Sequence, residues 1–248
     1  MSLIKRKLIR ISSKDRNIFQ SKSTTDFFVG IRSLKLQKVQ SVALKYIRFV
    51  NASSNVNKNN ATIRFTYNSV DYKDDITWGQ YNINDLVSEV ESKINALITP
   101  DVITMTFNVA AQRVTISSPQ LMTILFEDNL IFQMLGYKTD VIDQNILDAD
   151  ALPNLSGLNE IYLYSDALAS SHMVDSKSDL KNILTVVPVD VSYGAIQSYN
   201  SPEINSDRIV YNRLYDISSI DVKLLDCEMK VIDLQGLDIE IIFECFTT

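Results

Sequence analysis

Histidine occurs once in the chain, at His172, and cysteine twice, at Cys227 and Cys245. A lone histidine cannot build the imidazole-rich shell of a catalytic zinc site, and two cysteines this far apart form no Cys-x-x-Cys half-site. Two are also too few for a disulfide framework, so buried free thiols in a reducing compartment are expected. Glycine is scarce, at six residues, and neither G-x-G-x-x-G nor G-x-x-x-x-G-K-[ST] occurs, which excludes the phosphate-cradling loops of nucleotide chemistry. G-x-S-x-G is absent as well. Ser171, His172, Asp166 and Asp175, which crowd "SDALASSHMVDS", are therefore not read as a catalytic triad, because neighbours on an extended chain point apart. No uncharged apolar run approaches the roughly 18 residues of a membrane span, and "MSLIKRKLIRISSK" has no apolar core behind its cations, so no secretory signal is read. Tryptophan is single, Trp78, and offers little material for a sugar-stacking groove.

What is present is an ordinary globular composition, 46% hydrophobic and 22% charged over 248 residues, enough for one large β domain or two small ones. Its charge is uneven. Residues 1–50 hold twelve Lys or Arg against Asp15 and Asp26, a net of +10, so the rest of a chain of net −6 carries −16. A basic lead on an acidic body suggests an anionic partner: nucleic acid, lipid headgroups or an acidic protein surface. The acidic clusters "DYKDD" (71–75) and "DVIDQNILDAD" (140–150) lack the spacing of a calcium loop and read as solvated loops. The sequons at Asn51, Asn60 and Asn154 read as accidents of an Asn-rich chain. No metal, cofactor or catalytic residue is assigned.

In "QSVALKYIRFV" both parities carry apolar side chains, the pattern of a strand buried on much of both faces. "ASSNVNKNNAT" is an Asn-rich loop, and in "TIRFTYNSV" Ile63, Phe65 and Tyr67 alternate with polar residues. The clearest helix is "NINDLVSEVESKINALI", with one apolar stripe, Asn82 as N-cap and Pro100 beyond its end. "VITMTFNV", "RVTIS" and "LMTILF" read as short strands, "EDNLIFQMLGY" as a short helix stopped by Gly136, and 139–158 as a long acidic connection. The C-terminal third reads as strands: "NEIYLYSD", "LKNILTVVPV", "GAIQSY", "DRIVYN", "ISSIDVKLL", "KVIDL" and "DIEIIFECF". About nine to eleven strands and two helices favour a two-sheet sandwich. The expectation is a mainly β protein, a single jelly-roll sandwich with one or two helices in an insertion between strands. Residues 1–22 are expected to form a basic arm and 23–248 the jelly roll, with an α/β elaboration at about 71–158.

The lead-in "ISSKDRNIFQSKSTTDFFVGI" followed by "LQKVQSVALKYIRFVNAS" resembles the opening of the penton, or minor capsid, proteins of virophages and Polinton-type DNA viruses. In that pattern a Ser-x-x-Asp-Arg-like arm precedes a Ser/Thr-Asp-Phe strand and a long V-x-x-V-x-L strand. "YNINDLVSEVESKINAL", "MLGY" at 134–137, "NLSGLNEIYLYSDAL", "LTVVPVD" with "YGAIQSYNSPE", and the ending "RIVYNRLYDISSIDVKLLDCEMKVIDLQGLDIEIIFECF" agree in order, so the resemblance spans nearly the whole chain. It implies a non-enzymatic structural protein of the virion, a homopentamer at the fivefold vertices of an icosahedral particle, set among double-jelly-roll major capsid proteins. No Arg-Gly-Asp string is present, and the resemblance carries no receptor role to this chain.

Within that frame Lys5, Arg6, Lys7, Arg10, Lys14 and Arg16 are the candidate partner-binding residues, meeting acidic protein, packaged DNA or an inner membrane. Leu3, Ile4, Leu8, Ile9 and Ile11 interleave with them, which favours protein docking over bare phosphate contact. Deletion of residues 2–16 is expected to spare folding and weaken assembly. The rival readings are an adhesive or carbohydrate-binding β-sandwich, which calls for exposed aromatics along a groove, and an enzyme, which calls for a convergent titrating cluster.

Overall fold

The computed structural model describes residues 5–31, 36–127, 129–169, 173–174, 180–201 and 208–248. His172 lies outside them. The chain divides into two compact units, Met1–Ser53 with Leu158–Thr248, and Ser54–Gly157. Among the described residues the strands before the second unit are β1 (Lys5–Ser12), β2 (Asp26–Gly30) and β3 (Leu36–Val50). Inside it lie β4 (Thr62–Tyr67), β5 (Val70–Asp75), helix α1 (Ile83–Leu97), β6 (Thr104–Asn108), β7 (Arg113–Ile124), helix α2 (Leu130–Met134) and β8 (Val141–Asp148). After it come β9 (Glu160–Tyr164), β10 (Met173–Val174), β11 (Leu180–Lys181), β12 (Ile183–Pro188), β13 (Ile196–Asn200), β14 (Ile209–Ile217), β15 (Ser219–Leu225) and β16 (Glu240–Thr247).

The first unit holds two large antiparallel sheets, ordered β1-β16-β3-β13, with β14 also on β3, and β12-β9-β15-β2, besides the two-stranded β10-β11 pair. The pairings are nested. β1 pairs with β16, β2 with β15, β3 with β13 and β14, and β9 with β12. Such nesting is one long hairpin, bent between its fourth and fifth arms and rolled into two facing sheets: a jelly roll. Period-2 alternation supplies the glue. Along β16, Ile241, Phe243 and Cys245 are fully buried while Glu240, Ile242 and Glu244 stay half-exposed; along β15, Ile220, Val222 and Leu224 point inward to the same cluster. Burying each large side chain contributes about 1.5–3 kcal/mol.

The second unit is one sheet, β5-β4-β7-β6 with β8 on β7, whose inner face shares a core with both helices. α1 starts where the Asn82 side chain accepts from the Asp85 amide at 3.0 Å, and it buries Leu86, Val87, Val90 and Ile94. In "MLGY", Gly136 has φ +100 and an added Cβ would lie 2.3 Å from the Ala151 carbonyl oxygen, so glycine is required after α2. Tyr137 is buried beside it and donates its hydroxyl to the Leu147 carbonyl at 2.9 Å.

The elements depart from the expected ones in several places. The insert begins at Ser54, ahead of residue 71, so β4 belongs to it. Buried Asn55 sets that start: its Nδ2 donates to the Tyr81 and Leu155 carbonyls and its Oδ1 accepts from the Tyr81 amide, tying both ends of the insert together. The acidic stretches are strands, with Asp71 accepting from Thr66 and Asp75 from Thr62, both at 2.6 Å, inside the β4–β5 pair, and 141–148 forming β8. "RVTIS" and "LMTILF" lie in one strand, β7, while "KVIDL" makes only a bridge between Val231 and Leu225. Residues 5–12 are not a free arm: they form an edge strand that buries Ile9 and Ile11 against β16. Deleting 2–16 would strip that edge of the core.

Candidate assembly surface

The surface is built where the first strand meets the last. β1 and β16 pair from Lys5 with Thr247 to Ser12 with Glu240, so the basic strand lies on the acidic one. Ile9 and Ile11 fill the inward parity of β1; Arg6, Leu8 and Arg10 take the outward one. There Arg6 forms an ion pair with Glu244, and Arg10 Nε meets Glu240 Oε1 at 2.6 Å. The hydrogen bond to Glu240 raises the Arg10 guanidinium above its ordinary range. Exposed pairs of this kind are screened by solvent, so they set register more than stability.

The "SSKDR" stretch then turns the chain. Ser12 Oγ accepts from the Lys14 amide, opening the 3-10 turn Ser13–Asp15. Ser13 is fully buried: its Oγ donates to Asp238 Oδ1 at 2.9 Å and accepts from the Ile239 amide at 3.0 Å, and its carbonyl accepts from Arg16 Nη1 at 2.8 Å. Lys14 and Arg16 each stand 3.9 Å from Asp238. Arg6, Arg10, Lys14 and Arg16 thus face carboxylates of their own chain. Among the described residues Lys5 and Lys7 form no ion pair, and both are exposed. The partners Asp238, Glu240 and Glu244 were missed in the sequence because they lie some 230 residues from the cations they face.

The sheet edges differ in their protection. Among the described residues nothing pairs with the outer edge of β1, where Lys5 and Lys7 supply the charges that discourage strand addition. The outer edge of β2 is covered by the chain itself: the Asn17 amide donates to the Phe28 carbonyl at 2.8 Å, the Lys22 amide to Asp26 at 2.9 Å, and the Phe28 amide to Ser21 Oγ at 3.0 Å. Across the face of the first sheet, Arg208, just ahead of β14, stacks its guanidinium 3.7 Å from the centre of the Phe246 ring on β16 and donates to Ser41 Oγ on β3 at 2.6 Å. Among the described residues no group of three or more His, Cys, Asp or Glu side chains is placed to hold a metal ion. Cys227 is exposed and Cys245 is buried.

No protein-family model matches the sequence, and no curated protein matches it. Solved structures do match in fold. A chain of the Sputnik virophage, from a cryo-EM structure of the particle, superposes with a TM-score of 0.49 at 9% identity, covering 98% of each chain. The mavirus penton protein, known from a crystal structure, superposes with a TM-score of 0.50 at 9% identity over 97% of this chain and 99% of its own. Over nearly its whole length, this chain has the fold of the mavirus penton protein.

Proposed function

We propose that this chain is a structural, non-enzymatic capsid protein: a penton that forms homopentamers at the fivefold vertices of an icosahedral DNA virus particle, among double-jelly-roll major capsid proteins. The nested sandwich with one insert between β3 and β9, matched end to end by the mavirus penton protein, carries the reading. Its physics suits the role. A jelly roll leaves sheet edges at both sides, and copies joined head to tail bury one side against the next until the ring closes. The cations of β1 supply a second surface, on which Lys5 and Lys7 meet acidic major capsid protein, with packaged DNA or an inner membrane as the other anionic partners; contact with DNA would weaken steeply with salt.

The native mass of the full-length protein, with negative-stain class averages of the same sample, tests it. A mass five times that of the 28.1 kDa chain, with fivefold rings, is expected. A monomer at every concentration, and again when mixed with a major capsid protein, would refute the pentamer.

A further inference from the structure

Phe19 is 94% exposed and its neighbour Ile18 71%, the two most exposed large apolar side chains of the first unit among the described residues. They sit on a turn that is firmly built. The Gln20 and Ser21 amides donate to the Asn17 carbonyl at 3.0 and 2.9 Å, the Phe19 amide donates to Asn17 Oδ1 at 3.1 Å, and Asn17 Nδ2 donates to Gln20 Oε1 at 2.8 Å. An aromatic held out in water on a pre-ordered turn loses little conformational freedom when it docks, which is the condition for an interface anchor.

The turn's position restricts what can dock. It lies over the outer edge of β2, where the chain's own bonds to Phe28 and Asp26 already occupy the strand, so a partner reaching β2 meets side chains and cannot add a strand there. β1 leads through the 3-10 turn onto β2, so their two edges share one side of the sandwich. β12, β13 and β14 form the other. In a ring, one side of each copy must meet the opposite side of the next. That opposite side carries a ledge on β14: Leu214 is 50% exposed and Tyr215 40%, with the Tyr215 ring 5.1 Å from that of buried Tyr211 and the Arg213 guanidinium 5.2 Å from its centre.

Resting on the pentamer reading, we infer that the Ile18–Phe19 turn is the anchor between subunits, and that it seats on the Leu214–Tyr215 ledge of a second copy of this chain. Both halves of the contact are then present on one molecule, at opposite edges, as head-to-tail closure requires. An aromatic pair such as Phe19 with Tyr215 suits the centre of such a contact.

Phe19→Asp and Leu214→Asp in the full-length protein test this by native mass spectrometry and sedimentation across a concentration series, with circular dichroism confirming the fold. Each substitution should weaken self-association by about 30-fold or more, the size of an interface hot spot. Phe19→Cys with Leu214→Cys, in a Cys227→Ser background, should give disulfide-linked chains on mild oxidation, and neither single cysteine should. Rings of five that survive both aspartate variants with less than about a threefold change overturn the anchor and leave the pentamer standing. An assembly of another number that Phe19→Asp dissociates supports the anchor and overturns the ring of five. A wild-type protein that stays monomeric throughout, and again when mixed with a major capsid protein, overturns both.

Discussion

The buried hydroxyl of Ser13 and the exposed guanidinium of Arg10 lie three residues apart, and the structure assigns them opposite weights. Ser13→Ala removes a hydrogen bond to the Asp238 carboxylate and leaves the Ile239 amide without its acceptor. A bond to a charged group contributes about 1.5–3 kcal/mol, and an orphaned buried amide costs about 1–3 kcal/mol. Asp238 keeps access to water and to Lys14 and Arg16, so the two do not add fully, and a loss of about 2–4 kcal/mol is expected. For a domain of this size that lowers the melting temperature by roughly 5–12 °C. Arg10→Ala removes one exposed, solvent-screened ion pair and should lower stability far less than Ser13→Ala. Urea unfolding of both variants, followed by circular dichroism, measures the difference. Equal losses, or a Ser13→Ala loss under about 0.5 kcal/mol, would refute the claim that this turn is bolted to the start of β16 and would return the segment to the status of a solvated arm.

Deleting residues 2–16 should leave a protein that unfolds at lower urea, since Ile9 and Ile11 alone account for about 3–6 kcal/mol of burial; an unchanged midpoint would show that β1 is not part of the core. Gly136→Ala should lower stability by about 2–4 kcal/mol, because φ +100 is strained for alanine and its Cβ meets the Ala151 carbonyl oxygen; thermal unfolding checks it. A thiol reagent at pH 8 should modify Cys227 alone in the native protein, since burial pushes the Cys245 thiol up to about 12, and both cysteines once it is unfolded. The Asp166 carboxyl, held below its ordinary range by the hydroxyl of Tyr164 and the amide of Asn182, contributes stability that is present above its unfolded value near 3.8 and lost as pH falls through the lower folded value. Asp166→Asn should therefore flatten the acid limb of the stability profile, read from melting temperatures between pH 2 and 7.

How much of this was legible depended on whether a residue's role is local. The alternation in "DIEIIFECF" and the three-and-four spacing of Leu86, Val87, Val90 and Ile94 lie within one strand and one helix, and both elements were read. β8 was not, because only Val141 and Leu147 of its eight residues are buried and Asp143, at φ 50, breaks the alternation between them. β1 was read as an arm for a related reason: its buried face is Ile9 and Ile11 alone, and cations hold most other positions. The boundary at Ser54 depends on Asn55 reaching Leu155, one hundred residues on, which no local pattern displays. The Asn-rich composition was visible; the side chain that ties the insert shut was not.

The same separation explains the charge asymmetry with which the chain begins. In a nested hairpin the first strand must lie beside the last, so a basic start and an acidic end become neighbours in one ladder. Arg6 and Arg10 are four residues apart, as are Glu244 and Glu240, and the antiparallel register matches each cation to its carboxylate. A slip of one residue would break both pairs and turn Ile9 and Ile11 out of the core, so charge and burial select the same register. Four of the six cations between Lys5 and Arg16 are thereby paired within the chain. Of these six, Lys5 and Lys7 form no ion pair among the described residues, and Ile18 and Phe19 stand exposed on the turn that follows the strand. If the penton reading holds, assembly should depend on Phe19 far more than on Arg6 or Arg10, because an ion pair already satisfied within the chain has little left to offer a neighbour.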